Sequence, residues 1–145
     1  MVAVDLSTYV GHLARRLQQA NTHLWHTLVS TETTSPQFAV LSAIASGADV
    51  DQRMVGEKIG LDRSTTAEIV TRLAGRGLLQ RVRDPRDGRR NLLRLTPDGE
   101  ELQREIAQRA AAMNVAFLAP LDSAEQKTLL ELMHRVVAAV DDAEP

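Results

Sequence analysis

The chain has 145 residues, a net charge of −2, and a composition that is 43% hydrophobic and 25% charged, the profile of one globular domain able to bury roughly two thirds of the surface its unfolded form exposes. It contains no cysteine, which excludes disulfides, thiolate metal sites and thiol-based redox sensing. No apolar run approaches the roughly 18 residues of a membrane span, and the N-terminus lacks a signal peptide's charge-then-apolar order, so a cytoplasmic protein without membrane contact is expected.

Only four aromatic residues occur, Tyr9, Trp25, Phe38 and Phe117. Leu, Val, Ala and Ile must fill the interior, which favours helix over sheet. Leu6, Val10, Leu13, Leu17, Leu24 and Leu28, with Ala20, recur at three-to-four spacing and predict one long amphipathic helix over 5–30. In "TTSPQFAVLSAIASGAD" Ser35 reads as the N-cap and Pro36 as the first position of a second helix that stops at Gly47. "DQRMVGEKIGLDRSTTAEIVTRLAGRGLL" reads as two short helices joined at Gly60, with Asp62 capping the second: helix-turn-helix spacing.

On a helical wheel that second helix turns Thr66, Ile69, Val70 and Leu73 inward. Ser64, Ala67, Glu68 and Thr71 lie on the opposite face, with Arg72 beside them. Short outward side chains allow the close approach that entry into a DNA major groove requires. Gly75 and Gly77 close the helix, and "LLQRVRD" and "NLLRLT" then predict a β-hairpin with Asp87-Gly88 at or near its tip. Thr96 caps a further helix, with Pro97 at its first position and Asp98 and Glu100 in the first turn, running to about 119. Pro120 interrupts it. Asp122 and Glu125 form a capping pair for a last helix built on Leu129, Leu130, Leu132, Met133, Val136, Val137 and Val140.

Charge is concentrated on the hairpin. Residues 61–94 hold nine arginines against four acids, +5, while the rest holds eight bases against fifteen acids, −7. A basic middle between acidic ends suits a module that grips a polyanion. The element order therefore predicts a mainly α protein with a small β-hairpin wing, a winged helix-turn-helix set between helical ends. One helix would read base edges while the wing reaches backbone or minor groove.

"DPRDGRRNLLRLTPDGEEL" resembles the wing signature of the MarR family of transcriptional regulators, an Asp-x-Arg pair followed by Leu-Thr-x-x-Gly, carried here by Asp84, Arg86, Leu95, Thr96 and Gly99. "LDRSTTAEIVTRLAGRGLLQR" resembles that family's recognition helix and its exit into the wing. The resemblance implies a homodimer intertwined through 1–34 and 97–145, with 35–96 as the winged module. It also implies a pseudo-palindromic double-stranded operator and repression relieved by a small ligand. Arg63, Ser64, Thr65, Ala67, Thr71 and Arg72 would lie at or near the duplex, with Arg86, Arg89 and Arg90 of the wing. Asp84 would pair with an arginine rather than touch DNA, and Arg81 and Arg83 would make flanking phosphate contacts or face solvent.

The first helix aligns Gly11, Ala14, Arg15, Gln18, Asn21, Thr22 and Trp25 on one flank. Small residues leave room there, Trp25 offers an aromatic wall, and the Arg15 fork suits a carboxylate. The same residues equally suit a subunit contact, Arg15 as an ion-pair partner and Trp25 as dimer core. "GHLARRLQQA" and "LWHTLVSTETTSPQFAVL" resemble the subset of the family governing breakdown of aromatic acids, particularly protocatechuate and related hydroxybenzoates. A small aromatic carboxylate is thus the expected effector, with Arg16 and His23 on the other flank as a second anion grip, and Phe38, Met113 and Asn114 completing the pocket that the resemblance implies between the first, second and fifth helices.

Two other readings compete: a winged-helix dimer acting through protein partners, and a metal-responsive regulator built on His23, His26 and Glu32. Two imidazoles without further ligands argue against a metal site, and no cofactor is expected. No nucleophile-elbow, phosphate-cradling glycine loop or metal-ligand series is present, so catalysis is not expected.

Overall fold

A computed structural model describes residues 4–143. The predicted first helix divides in two. The Asp5 carboxylate accepts from both the Ser7 amide and its hydroxyl, at 3.0 and 2.7 Å, which closes a single 3-10 turn at Leu6–Thr8. Extended backbone at Tyr9 then separates this turn from α1, Val10–Leu28. A second correction concerns α2, Ser35–Ala45, whose N-cap is Thr34 and not Ser35. Thr34 Oγ1 accepts from the Gln37 amide while Gln37 Oε1 accepts from the Thr34 amide. That reciprocal box satisfies two otherwise unpaired donors and moves the start by one residue.

The helix-turn-helix forms as the spacing predicts, with α3 at Gln52–Ile59 and α4 at Arg63–Gly75. Gly60 between them has φ +67, a left-handed turn that costs a side-chain-bearing residue energy. Gly56 lets the two helices touch, because a Cβ there would stand 2.9 Å from Thr66 Oγ1. The wing is an antiparallel pair, β1 at Leu79–Arg83 and β2 at Asn91–Leu95, in register from Leu79 opposite Leu95 to Arg83 opposite Asn91. The Leu93 amide also donates to the Val50 carbonyl at 2.8 Å, tying the wing to the loop before α3. Two long helices complete the chain, α5 at Pro97–Leu118 and α6 at Ser123–Asp141, capped by Thr96 and Asp122 as expected.

Two apolar clusters hold these elements. One, inside the winged module, contains Val40, Leu41, Ile44, Val55, Val70, Leu73 and Leu93; the other joins Trp25, Val29, Ile106 and Met113 where α1 crosses α5. Leu102 packs against both. The wheel reading of α4 holds, with Thr66, Val70 and Leu73 buried and Ile69 half-buried. By contrast α6 has no buried residue. Its Val136, Val137 and Val140 are 56–59% exposed, and Val10, Leu13 and Leu17 of α1 are 45–75% exposed. Apolar stripes of this length on a single chain are larger than monomers normally leave in water.

The Leu-Thr-x-x-Gly segment has a steric reason for its glycine. Thr96 donates from its amide to the Leu78 carbonyl and from its hydroxyl to the Gly77 carbonyl. This brings α5 so close to Leu78 that a Cβ on Gly99 would overlap the Leu78 carbonyl oxygen. Gly99→Ala should therefore lower unfolding free energy by about 3 kcal/mol, the upper part of the range for overpacking. Urea unfolding checks this; a loss below about 1 kcal/mol would mean that the wing exit can relax.

Candidate functional site

The recognition surface begins at the N-terminus of α4. Asp62 caps the helix by accepting from the Thr65 amide at 2.8 Å, and its oxygens also take the Thr65 and Ser64 hydroxyl hydrogens at 2.6 and 2.8 Å. These bonds, those from Thr65 first, hold the Asp62 pKa down to about 2. They also occupy the two hydroxyl donors that the sequence assigned to DNA. Ser64 and Thr65 keep acceptor capacity and shape the helix tip. Arg63, Thr71 and Arg72 are exposed and Ala67 is half-buried; Arg72 lies only 3.9 Å from Glu68, its i−4 neighbour.

On the wing the six arginines divide into two sets. Arg90, expected near the duplex, is turned inward. Its Nε donates to Asp51 at 2.8 Å, Nη1 lies 3.6 Å from Asp84, and Nη2 reaches the Asp49 carbonyl and Met54 Sδ. Arg94 pairs with Asp49 at 3.0 Å and donates to the Ala48 carbonyl. Burial opposes ionisation of Asp51, but the Met54 amide and then Arg90 outweigh it, so its pKa falls below the ordinary value. Asp84 is buried, accepts from the Arg86 amide at 2.8 Å and faces Arg90, the arginine-pairing role expected of it.

Arg86 itself projects outward, 85% exposed, with only a 3.7 Å approach to Asp49. Arg89 is exposed at the tip turn, where its amide is fixed by Asp87 Oδ1 and no ion pair engages its side chain among the described residues. Arg81 and Arg83 are exposed on β1. The outward set is thus Arg81, Arg83, Arg86 and Arg89, and the anchoring set is Arg90 and Arg94.

The residues expected to hold a ligand separate as well. Ala14, Gln18, Asn21 and Asn114 line one groove of about 580 Å³ between α1, α5 and α6, over Leu17, Phe117, Leu118, Leu129, Leu130 and Met133. Trp25 is not a wall of it. The indole is 6% exposed, donates to the Thr33 carbonyl at 2.7 Å and tilts against Phe38 at 5.6 Å, with Met113 in the same cluster. Gly11, Arg15, Arg16 and His23 are exposed on α1 outside that groove, and Arg15 Nη2 lies 2.9 Å from His12 Nδ1. Leu129 and Met133 were read only as helix-stripe residues; their shared i, i+4 face was the signal for the groove floor. Among the described residues no group of three His, Cys, Asp or Glu could hold a metal ion, and no helix is long and apolar enough to cross a membrane.

Asp62 gives the surface an acid limit. Its depressed pKa means that the cap contributes fully above the ordinary value of 3.8 and is lost as pH falls through about 2. Asn also caps well, so Asp62→Asn should remove this contribution to acid unfolding while leaving helicity at neutral pH. Circular dichroism of both proteins between about pH 2 and 5 measures the difference; superimposable profiles would contradict it.

Comparison with known proteins agrees with this architecture. The MarR family profile matches residues 32–90. Transcriptional regulator HosA of Escherichia coli O111:H- is 33% identical over 129 residues, spanning 88% of this chain and 94% of that protein. The PcaV transcriptional regulator of Streptomyces coelicolor, in complex with its natural ligand, superposes with a TM-score of 0.92 at 58% identity, covering 97% of this chain and 99% of PcaV. BpsR of Bordetella bronchiseptica, whose DNA binding is regulated by 6-hydroxynicotinic acid, has a TM-score of 0.87 at 28% identity, covering 94% and 98%. With its winged helix-turn-helix and these relatives, the chain belongs to the MarR family and is a transcriptional regulator, not an enzyme.

Proposed function

We propose that this regulator is a cytoplasmic homodimeric repressor that binds a pseudo-palindromic double-stranded operator and leaves it when a small aromatic carboxylate binds; protocatechuate is the first candidate. The observation that carries the DNA reading is the pairing of a recognition helix having short outward side chains with a wing whose Arg86 and Arg89 point away from the protein. The exposed apolar stripes of α1 and α6 support the dimer, since a second copy would cover them. Residues 1–34 and 97–145 would then interlock, leaving 35–96 of each subunit to place recognition helices about 34 Å apart, one turn of DNA.

For the effector, the groove between α1, α5 and α6 falls within the size range of small-molecule sites, about 300–1,000 Å³. Its apolar floor suits a ring, and the amides of Gln18, Asn21 and Asn114 suit ring hydroxyls. Arg15, exposed on the same helix outside the groove lining, would have to swing its guanidinium to the rim to act as the carboxylate fork, and Arg16 with His23 is the second grip on the same terms. The similarity to ligand-bound PcaV, and the action of 6-hydroxynicotinic acid on BpsR, support an aromatic acid. Release requires the ligand to favour a spacing of the two winged modules that the operator does not fit, because equal affinity for both spacings would shift nothing.

Fluorescence anisotropy with a duplex from the chain's own promoter tests each part. Affinity should fall steeply with added salt, and Arg89→Ala, which removes one contact from each subunit of the dimer, should reduce the slope of log K against log salt by about 2 without altering thermal stability. Saturating protocatechuate should release the duplex. Arg15→Ala should keep DNA binding and lose that release; an unaltered ligand response would move the grip to Arg16. Salt-insensitive binding defeats the DNA reading, and unchanged affinity at saturating protocatechuate defeats the choice of effector.

A further inference from the structure

The seam between α1, α2 and the C-terminal end of the recognition helix is crossed by one polar chain. Arg76 caps α4, its amide donating to the Arg72 carbonyl. Its guanidinium extends to Thr33 Oγ1 at 3.1 Å and Gln37 Oε1 at 3.5 Å. Thr33 and Gln37 are only 1% and 4% exposed. The Thr33 carbonyl in turn accepts from Trp25 Nε1 at 2.7 Å. Thr33 is therefore gripped through its backbone by α1 and through its side chain by α4. No carboxylate lies within ion-pair distance of Arg76 among the described residues, so its fork rests on neutral acceptors.

We propose that Arg76 is the positioning residue that couples the Trp25 segment to the recognition helix. The other contacts of α4 with α2 are apolar packing, and among the described residues Arg76 makes the side-chain hydrogen bonds that join the end of α4 to Thr33 and Gln37. A guanidinium bonded to two defined acceptors is directional. Movement of Thr33 by Trp25, Phe38 or Met113 is thus felt at the end of α4, while displacement of α4 by DNA is felt at Trp25, as reciprocity demands. The inference rests on the DNA-binding reading above, and it does not require the effector to be protocatechuate.

Trp25 is the chain's single tryptophan, so its emission reports this segment alone. The full-length protein is titrated with the labelled promoter duplex, following duplex anisotropy and tryptophan emission together. The wild type should show an emission change that tracks binding. Arg76→Ala should bind within about twofold of the wild type, below typical allosteric couplings of about 5–150-fold, yet lose the emission change. Thr33→Val removes the acceptor from the other side and leaves the α2 capping box untouched. It should behave alike, and the double variant should add nothing, as expected when both act through one contact.

If protocatechuate releases the wild type, the ratio of operator affinities without and with it should fall about fivefold or more in either variant. An emission change preserved in folded Arg76→Ala overturns the proposal, as does a wild type that binds DNA without any change at Trp25. Loss of operator affinity of about tenfold in folded Arg76→Ala would make Arg76 a DNA contact instead. Flat anisotropy in the wild type defeats the DNA-binding reading itself, and this inference falls with it.

Discussion

The wing's position depends on the Arg90 guanidinium, held between Asp51 at the start of α3 and the buried Asp84 at the end of β1. A two-stranded hairpin has little stability of its own. Here it is tied to the helix-turn-helix by charge-assisted bonds where the strands enter the tip loop and by the Leu93 to Val50 backbone bond. Arg94 adds a further tie through Asp49. The positive charge facing outward is consequently smaller than the sequence suggests, but it is carried on a hairpin whose angle to α4 is set. Such preorganisation lowers the ordering cost of docking the wing on a duplex.

The helical ends pose a different constraint. One chain buries the winged module well, yet leaves α6 without a buried residue and α1 with exposed leucines and valines. Hydrophobic surface of that kind stabilises association more than folding of the single chain. Geometry useful for DNA would then follow from subunit pairing, because the distance between recognition helices is a property of the pair. The groove between α1, α5 and α6 lies among these same helices, so the proposed effector would act from there on that distance.

Most of the fold was legible because its signals are local. Gly60, Asp62, Thr96 and Asp122 each act within a few residues, and each stands where its type predicts. Thr34 was legible too, since Gln37 three positions on completes a capping box, but the adjacent Ser35 and Pro36 offered a competing start. Arg90 was not. Nothing near it distinguishes it from Arg89, and its partner Asp51 lies 39 positions away in sequence. Likewise, a helical wheel places Trp25 beside Gln18 and Asn21, whereas its orientation is decided by the Thr33 carbonyl in the following loop. The separate destinations of Trp25 and the amide-lined groove are tertiary facts.

Leu102 has a mechanical consequence. It packs against both clusters, and near it Phe38 of α2 meets Trp25 while Gly99 of α5 abuts Leu78, so the duplex-reading unit and the helical scaffold share a continuous interior. Tilting one body against the other would have to shear these interlocked side chains. Each reading head is therefore expected to turn together with its own α5, as one lever.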